Sequence, residues 1–123
     1  MTARPFILNR NMKRGYLYFI HELGQGSVRC KIGQTVCVRQ RRNALQVGNP
    51  NRLVVSAYLK VNDAIGAENF AKDFFANDHI RGEWFFLSQD HAKMFCETYP
   101  NVSIEEEEFY NCIDEKSVVI NKF

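Results

Sequence analysis

The chain contains three short segments that are rich in aromatic and aliphatic residues and are separated by turn signals and polar stretches. Segment 15–20 ends shortly before Gly24 and Gly26, and segment 27–33 then alternates apolar with polar residues. Segment 53–59 is a third, mainly apolar run. These patterns predict three strands, the first two of which form a β-hairpin.

An amphipathic segment follows the predicted hairpin. It predicts a helix from about Val36 to Val47, with Thr35 available to cap its beginning. Gly48 and Pro50 are typical stop signals and mark its end. This helix carries several arginines, so it is a candidate for contact with an anionic partner.

A second helix is predicted after Asn62 or Asp63, since either side chain can cap it. Its apolar residues recur at spacings of three and four and predict a buried stripe: Ala67, Phe70, Ala71, Phe74 and Phe75. Residues 81–87 are predicted to form a turn and a short aromatic strand or extended segment. A last helix is predicted up to about Tyr99.

The resulting order, β-β-α-β-α-(β)-α, predicts one α+β domain with a small, mainly antiparallel, three-stranded sheet flanked by helices. We predict a basic N-terminal extension at 1–14, a catalytic domain at 15–100 and an acidic C-terminal tail at 101–123. Residues 105–108 are four consecutive glutamates that repel one another, so the tail is expected to add an edge strand or to be partly disordered.

Charge is distributed unevenly along the chain. Residues 1–60 carry eleven Lys or Arg and one acidic residue, which gives a net charge of +10. Residues 61–123 carry five Lys or Arg and thirteen acidic residues, which gives a net charge of −8. A basic half indicates a polyanionic partner, because Lys and Arg that neutralise phosphates provide affinity for nucleic acid. A solvated basic surface without a partner is the alternative.

Several classes of protein are disfavoured by the sequence. There is no apolar run near the ~20 residues that a membrane-spanning helix needs, and the N-terminus lacks the apolar core of a secretory signal. We therefore predict an intracellular protein with no membrane partner. The cysteines form no C-x-x-C pair and have no histidine at zinc-ligand spacing, so they predict free thiols: Cys30, Cys37, Cys96 and Cys112.

A series of motifs, in a fixed order, runs through the predicted strands and helices. It consists of Gly15-Tyr16-Leu17-Tyr18, Lys31-Ile32-Gly33, Arg41, the segment 45–50 (L-Q-V-G-N-P), Glu68 and Gly82-Glu83-Trp84-Phe85. The series resembles the GIY-YIG nuclease superfamily, and within it the branch from phages and large DNA viruses in which K-I-G replaces Y-I-G and G-E-W-F closes the core. The resemblance covers residues 15–88, and if the protein is viral, the host cell is the expected location.

The resemblance implies a metal-dependent endonuclease that hydrolyses phosphodiester bonds in DNA, with RNA as the alternative substrate. By position, Tyr18, Lys31, Arg41 and Glu68 are the implied catalytic residues. Glu68 is the implied ligand of Mg²⁺ or Mn²⁺, hard ions that take one carboxylate and several waters. Arg41 would contact the scissile phosphate through its planar guanidinium.

Further positions have implied roles in binding or structure. The predicted nucleic-acid-binding residues are Arg14, Lys31, Arg39, Arg41 and Arg42. The glycines and the tryptophan of the motifs are predicted to be structural: Gly15, Gly33, Gly82 and Trp84. Homo-oligomers or a larger assembly are compatible with a domain of this size.

The departures from the family pattern leave alternatives open. Lys31 stands where many members have a tyrosine, and it is expected either to act as a base with a lowered pKa or to bind phosphate as a cation, which we favour. Leu45 and Lys72 stand where related sequences have residues able to carry protons. A binding module that kept the fold and lost catalysis is therefore the alternative function, and an interaction protein using the acidic half is a third.

Each implied catalytic residue also has an ordinary structural interpretation. Without the resemblance, Tyr18 is more typical of a buried strand tyrosine. Arg41 is also typical of an arginine on a helix surface, although it is the one at the family spacing. Glu68 lies four residues before Lys72, the spacing of a common ion pair on a helix surface. Glu83 is interpreted as a turn residue, with a second metal-binding acid as the alternative.

Overall fold

The computed structural model describes residues 13–24 and 28–99. In chain order the elements are β1 (Gly15–Glu22), β2 (Arg29–Thr35), α1 (Val38–Gln46), β3 (Leu53–Val61), α2 (Ala64–Phe74), β4 (His79–Arg81), β5 (Trp84–Phe86) and α3 (Gln89–Thr98). The predicted tail at 101–123 and most of the predicted extension at 1–14 lie outside the described residues. None of the helices in the described part is long and apolar enough to span a membrane.

The sheet has five antiparallel strands in the order β3-β1-β2-β5-β4. The predicted α+β class is confirmed, and so is the hairpin of β1 and β2, but the prediction of a three-stranded sheet is wrong. Strands β4 and β5 add to the β2 edge and contain only three residues each. Three residues are too few for alternation of apolar and polar side chains to reveal a strand, so the sequence pattern missed β4.

Strand β1 lies between β3 and β2 and is buried on both faces of the sheet. Leu17 and Phe19 point to one face, where they join Ile32 in a core closed by α2 and α3. Tyr16, Tyr18 and Ile20 point to the other face and pack with Val38 of α1. Because α1 packs on β1 and β3, the β2–β5–β4 part of this second face is not covered by a described helix.

The buried stripe of α2 differs from the predicted one. Ala67, Ala71 and Phe75 are buried as predicted, but Phe70 and Phe74 are 49% and 64% exposed. Small alanine side chains let α2 lie close to the sheet, and the two phenylalanines on its flank contact the ring of Phe95 from α3 instead. The prediction of an amphipathic helix was therefore correct, but the five apolar residues lie on two faces of the helix, and only one of these faces is buried against the sheet.

The segment between α1 and β3 is held by the side chain of Gln46. Its amide nitrogen donates to the carbonyl oxygens of Asn49 and Asn51, at 3.3 and 2.9 Å, and its amide oxygen accepts from the backbone N–H of Leu53 at 2.9 Å. Gly48 has a φ of 83°, which an L side chain rarely adopts. The L-Q-V-G-N-P segment thus fixes the exit of α1 and the start of β3.

A buried histidine links the sheet to the segment before α3. His21 is fully buried, its Nε2 lies 2.8 Å from the carbonyl oxygen of Leu87, and its Nδ1 lies 2.6 Å from the hydroxyl of Ser56. Since a carbonyl can only accept, Nε2 carries the proton and Nδ1 accepts from Ser56. Burial lowers the pKa of His21, although the bond to Leu87 opposes this shift.

The lowered pKa of His21 predicts a loss of stability in acid. Between the folded pKa and about 6.5, the unfolded chain binds a proton that the folded chain excludes, so the free energy of unfolding falls as pH falls below about 6.5. Urea unfolding at about pH 8 and about pH 5 measures this loss in the wild type and in His21→Gln. The wild type should lose more stability than the variant, and equal losses would show that His21 is not responsible.

Candidate active site

The candidate active site is built around the hydroxyl group of Tyr18. Tyr18 lies on strand β1, and only 1% of its surface is exposed. Its Oη accepts a hydrogen bond of 3.3 Å from Nε of Arg41, across 23 positions of sequence. Strand β1 thus holds the ring in place, and helix α1 brings a permanent cation to the phenol oxygen.

Gly33 makes room for the Tyr18 ring. The two residues are direct partners in the antiparallel pairing of β1 and β2, so their side chains would share one face of the sheet. A Cβ atom on residue 33 would overlap the hydroxyl of Tyr18 and would lie 2.6 Å from Cζ, well inside van der Waals contact. The glycine of the K-I-G motif therefore allows the tyrosine of the first motif to lie across β2.

Gly33→Ala is expected to reduce the free energy of unfolding by about 1–3 kcal/mol, because the buried Tyr18 ring has little room to move. Urea unfolding measures this cost in the wild type and again in a Tyr18→Ala background. Without the ring, the added methyl group should cost much less. A cost that is the same in both backgrounds would mean that the ring is not the obstacle.

Helix α1 begins close to the site. It starts after Cys37, later than the predicted Val36, and the hydroxyl of Thr35 accepts from the backbone N–H of Cys37 at 3.2 Å. The N–H of Arg41 then donates to the carbonyl oxygen of Cys37 at 3.1 Å in the first turn of the helix. This tight connection from β2 fixes where the Arg41 side chain leaves the helix.

A chain of alternating charges lies beside Tyr18 and Arg41. Nζ of Lys31 is 3.2 Å from Oε1 of Glu83, and Nζ of Lys72 is 3.2 Å from Oε2 of the same carboxylate. Lys72 also lies 2.7 Å from Oε2 of Glu68, so its ammonium group bridges two carboxylates. Strand β2, helix α2 and the turn before β5 thereby meet at one place.

Local structure explains why the two carboxylates meet. The side chain of Asp63 accepts from the N–H of Gly66 at 3.0 Å and caps α2, which places Glu68 on the second turn. Glu83 follows Gly82, whose φ of 57° permits the turn between β4 and β5. The carbonyl oxygen of Glu83 accepts from the N–H of Ile32 at 3.0 Å, which ties the turn to β2.

The pKa shifts in the site reflect burial and this charge network. Burial raises the pKa of Tyr18, the Arg41 hydrogen bond and charge lower it, and the charges of Glu83 and Glu68 raise it again, so the phenol stays protonated at neutral pH. The hydrogen bond to Tyr18 raises the pKa of Arg41, and the two glutamates add to this effect. Both carboxylates therefore act on both Tyr18 and Arg41, in one electrostatic environment.

Contacts between the lysines and the glutamates shift the pKa values of Lys72 and Glu83 in opposite directions. Burial would raise the pKa of Glu83, but the hydrogen bonds and charges of Lys31 and Lys72 outweigh it, and the net pKa is lowered. Burial would lower the pKa of Lys72, but Glu68 and Glu83 outweigh it, and the net pKa is raised. Both groups are therefore charged at neutral pH.

The structure brings Tyr18, Lys31, Arg41 and Glu68 together around Glu83. Glu83 and Lys72 were underestimated from the sequence, which placed the first in a turn and the second in an ordinary helix-surface ion pair. Each interpretation is locally correct, since Glu83 is in a turn and Lys72 pairs with Glu68. The contact between them joins residues 11 positions apart on different elements, so sequence spacing does not reveal it.

The remaining predicted residues lie around this centre. Arg39 is exposed and Arg42 half-buried on α1, and Arg14 is exposed immediately before β1. Gly15 approaches the backbone of Thr35, where an added Cβ would lie 2.9 Å from the carbonyl oxygen. Trp84 is half-buried against the α1 side of the core. The functional roles of all these residues remain predictions.

The oxygen atoms of Glu68 and Glu83 fit a hard divalent ion. The two carboxylates already share one cation, the ammonium of Lys72, so the geometry accommodates positive charge between them. Within residues 13–24 and 28–99, no three His, Cys, Asp or Glu residues cluster as a metal site. One or two carboxylates completed by water are the typical protein ligands of Mg²⁺.

Comparison with known protein families identifies residues 15–100 as a T5orf172 domain. No curated protein and no solved structure gives a significant match to the chain. The matched region contains all the described strands and helices, from Gly15 to Thr98, and is well over half of the sequence. The chain therefore belongs to the T5orf172 domain family.

Proposed function

We propose that this protein is a metal-dependent DNA endonuclease of the GIY-YIG type. The observation that carries the proposal is the hydrogen bond between Tyr18 and Arg41 beside the Glu68–Lys72–Glu83 network. The proposal is supported by membership of the T5orf172 family. This domain occurs in phage and bacterial proteins and is linked to nuclease-type functions. The basic N-terminal half supports nucleic acid as the partner.

The roles of the two central residues follow from their charges and donors. Arg41 remains a cation at every accessible pH and can donate to phosphate oxygens, where negative charge grows as the phosphodiester is attacked. Its Nε is engaged by Tyr18, so its terminal nitrogens are the groups directed to phosphate. Protonated Tyr18 keeps its proton and can donate a hydrogen bond to the attacking water or to a phosphate oxygen, and so orient either one.

Lys31 is proposed to bind phosphate as a cation. Its ammonium is paired with Glu83 and lies 5.5 Å from the centre of the Trp84 ring, two contacts that favour a charged lysine. A phosphate arriving at the site would meet a fixed cation next to Arg41. This role agrees with the interpretation that the sequence favoured over proton transfer.

Glu68, with Glu83 as its neighbour, is proposed to hold Mg²⁺ or Mn²⁺. Such an ion supplies charge stabilisation of the phosphate oxygens and lowers the pKa of a bound water. Glu68 and Glu83 would provide oxygen ligands, and the ammonium of Lys72 would have to withdraw from between them because two cations cannot share that position. Lys72 is thus proposed to compete with the metal.

Lys72→Gln is expected to lower the Mn²⁺ concentration needed for half-maximal cleavage by about 30-fold. A unit charge and a divalent ion ~4 Å apart in a water-like environment repel each other by ~2 kcal/mol, which corresponds to this factor. A Mn²⁺ titration of plasmid cleavage measures it, with Lys93→Gln on α3 as the matched control. A higher Mn²⁺ requirement in Lys72→Gln would contradict competition by the lysine.

Plasmid cleavage by the wild type tests the proposed function. We expect supercoiled DNA to be converted to nicked or linear forms when Mg²⁺ or Mn²⁺ is present, and EDTA to stop the reaction. An RNA of similar length distinguishes the substrates. Absence of cleavage with every divalent ion would remove the endonuclease proposal.

A nucleic-acid-binding module without catalysis is the second candidate. It is favoured by Leu45, which packs against the Tyr16–Tyr18 core and offers no proton carrier on α1. It is also favoured by the internal cation of Lys72, which already pairs with both carboxylates. Salt-sensitive DNA binding together with no metal-stimulated cutting would support this candidate.

A further inference from the structure

A second feature of the molecule lies on the part of the sheet that α1 leaves open. In the pairing of β2 with β5, Arg29 is opposite Phe86 and Lys31 is opposite Trp84. Direct partners in an antiparallel pair lie on the same face, so two basic and two aromatic side chains share this surface. We call these four residues the β2–β5 patch.

Phe86 is exposed, although it lies on β5, a strand that is paired with β2 inside the sheet. Phe85 points to the opposite face and is buried, whereas Phe86 is 59% exposed. In a strand with one solvated face, the outward positions are normally polar, and burying an exposed phenylalanine would gain about 1.5–3 kcal/mol. A single exposed apolar side chain is common on a protein surface, so what distinguishes Phe86 is its position opposite a basic residue, Arg29, on the same face of the sheet.

The charges around Phe86 indicate what kind of partner this is. The guanidinium of Arg29 lies 5.7 Å and the ammonium of Lys31 5.5 Å from the centre of the Trp84 ring, so the indole holds two cations beside the exposed ring. Half of the Arg29 side chain is exposed, although its Nε pairs with Glu22 at 2.9 Å. An apolar ring bordered by cations is complementary to a nucleotide, which has an aromatic base and a phosphate.

The patch is continuous with the candidate active site. Lys31 belongs to both, since its ammonium contacts Trp84 on one side and the carboxylate of Glu83 on the other. Phe86 lies two residues beyond Trp84 on β5, about 7 Å further along the strand. A strand of nucleic acid bound at Arg41 and Lys31 can therefore extend over Phe86.

We propose that Phe86 is a stacking site for an unpaired nucleobase, with Arg29 bound to the adjacent phosphate. The proposal deepens the endonuclease function and rests on it for the choice of DNA. Bases in a duplex present only their edges in the grooves, whereas stacking on a side chain requires an exposed base face. The site therefore selects DNA that contains unpaired nucleotides next to the position of cleavage.

Binding measurements without metal test this site. A fluorescently labelled single-stranded oligonucleotide of about 16 nucleotides and a duplex of the same length are titrated with the protein in EDTA. Phe86→Ala is expected to weaken single-strand binding by about 5- to 100-fold, the usual effect of losing one stacked base, and to leave duplex binding nearly unchanged. Phe86→Trp should retain single-strand binding.

Met94→Ala provides the matched control. Met94 is 55% exposed on α3, on the opposite side of the sheet, so its truncation removes a comparable apolar side chain without touching the patch. Both probes should bind this variant as they bind the wild type. Thermal unfolding checks that all three variants are folded.

Single-strand binding that Phe86→Ala leaves intact would overturn the proposal, and so would equal losses of binding for single-stranded and duplex DNA. Failure to bind either probe at low salt would also overturn it and would leave a protein partner for the exposed ring. Because no cleavage is measured, the outcome is independent of the endonuclease test. If the protein cuts no DNA but Phe86→Ala weakens only single-strand binding, the stacking site stands and only the catalytic proposal fails.

Discussion

Cleavage by Arg41→Ala is expected to be about 10²–10³-fold slower than cleavage by the wild type, the usual loss when one preorganised donor to a developing negative charge is removed. The variant should keep most of its stability, because Arg41 is only half-buried and its side chain contacts the Tyr18 hydroxyl rather than the apolar core. Arg41→Lys keeps the charge but loses the planar guanidinium, so its activity should lie between those of the other two proteins.

Arg52→Ala is the control for Arg41→Ala. Arg52 is an exposed arginine immediately before β3, outside the candidate site, and its removal changes the net charge by the same amount. Plasmid cleavage under single-turnover conditions should be close to wild type for Arg52→Ala. If the two alanine variants lose activity equally, Arg41 acts only through general charge and not at the reacting phosphate.

Glu68→Gln is expected to reduce cleavage at least about 100-fold at a metal concentration that saturates the wild type. The substitution keeps the shape of the side chain and removes the charge that is proposed to hold the ion, and loss of a ligand or its supporting group commonly weakens metal binding by 10–100-fold or more. The stability of α2 should change little, since its buried contacts are made by Ala64, Ala67 and Ala71.

Asp73→Asn is the matched control on the same helix. Asp73 is exposed, and the substitution removes one carboxylate charge from α2 without changing the Glu68–Lys72–Glu83 network. Titration of cleavage with Mn²⁺ should give the wild-type curve for this variant. A Glu68→Gln enzyme that reaches the wild-type rate at the wild-type Mn²⁺ concentration would show that Glu68 does not hold the ion.

The sequence predicted those parts of the fold that depend on local pattern. The β1–β2 hairpin, the cap at Asp63 and the exit of α1 at Gly48 each have a recognisable signal within a few residues. The edge strand β4 has no such signal, because three residues cannot show a period of two, and β5 was predicted only as a short aromatic strand or extended segment within residues 81–87. Both strands join the sheet because β2 offers an unpaired edge to the chain that returns after α2.

The candidate site was predictable only in part for the same reason. Motif order alone was enough to select Tyr18, Arg41 and Glu68, but the physical link between them depends on tertiary contacts. The role of Gly33 becomes visible only in the strand register, which places it opposite Tyr18. The role of Glu83 becomes visible only in the turn, which brings this residue back to β2. The exposed ring of Phe86 likewise follows from strand pairing and not from its local sequence.

The most direct measurement is the anomalous scattering of a crystal soaked in Mn²⁺. We expect one ion bound by the carboxylate of Glu68, beside Tyr18 and Arg41, with the ammonium of Lys72 moved out of its position between Glu68 and Glu83. The crystal should be soaked at a Mn²⁺ concentration that supports cleavage in solution. An ion bound elsewhere on the protein under those conditions, with the Lys72 bridge intact, would contradict a metal-dependent site at Glu68.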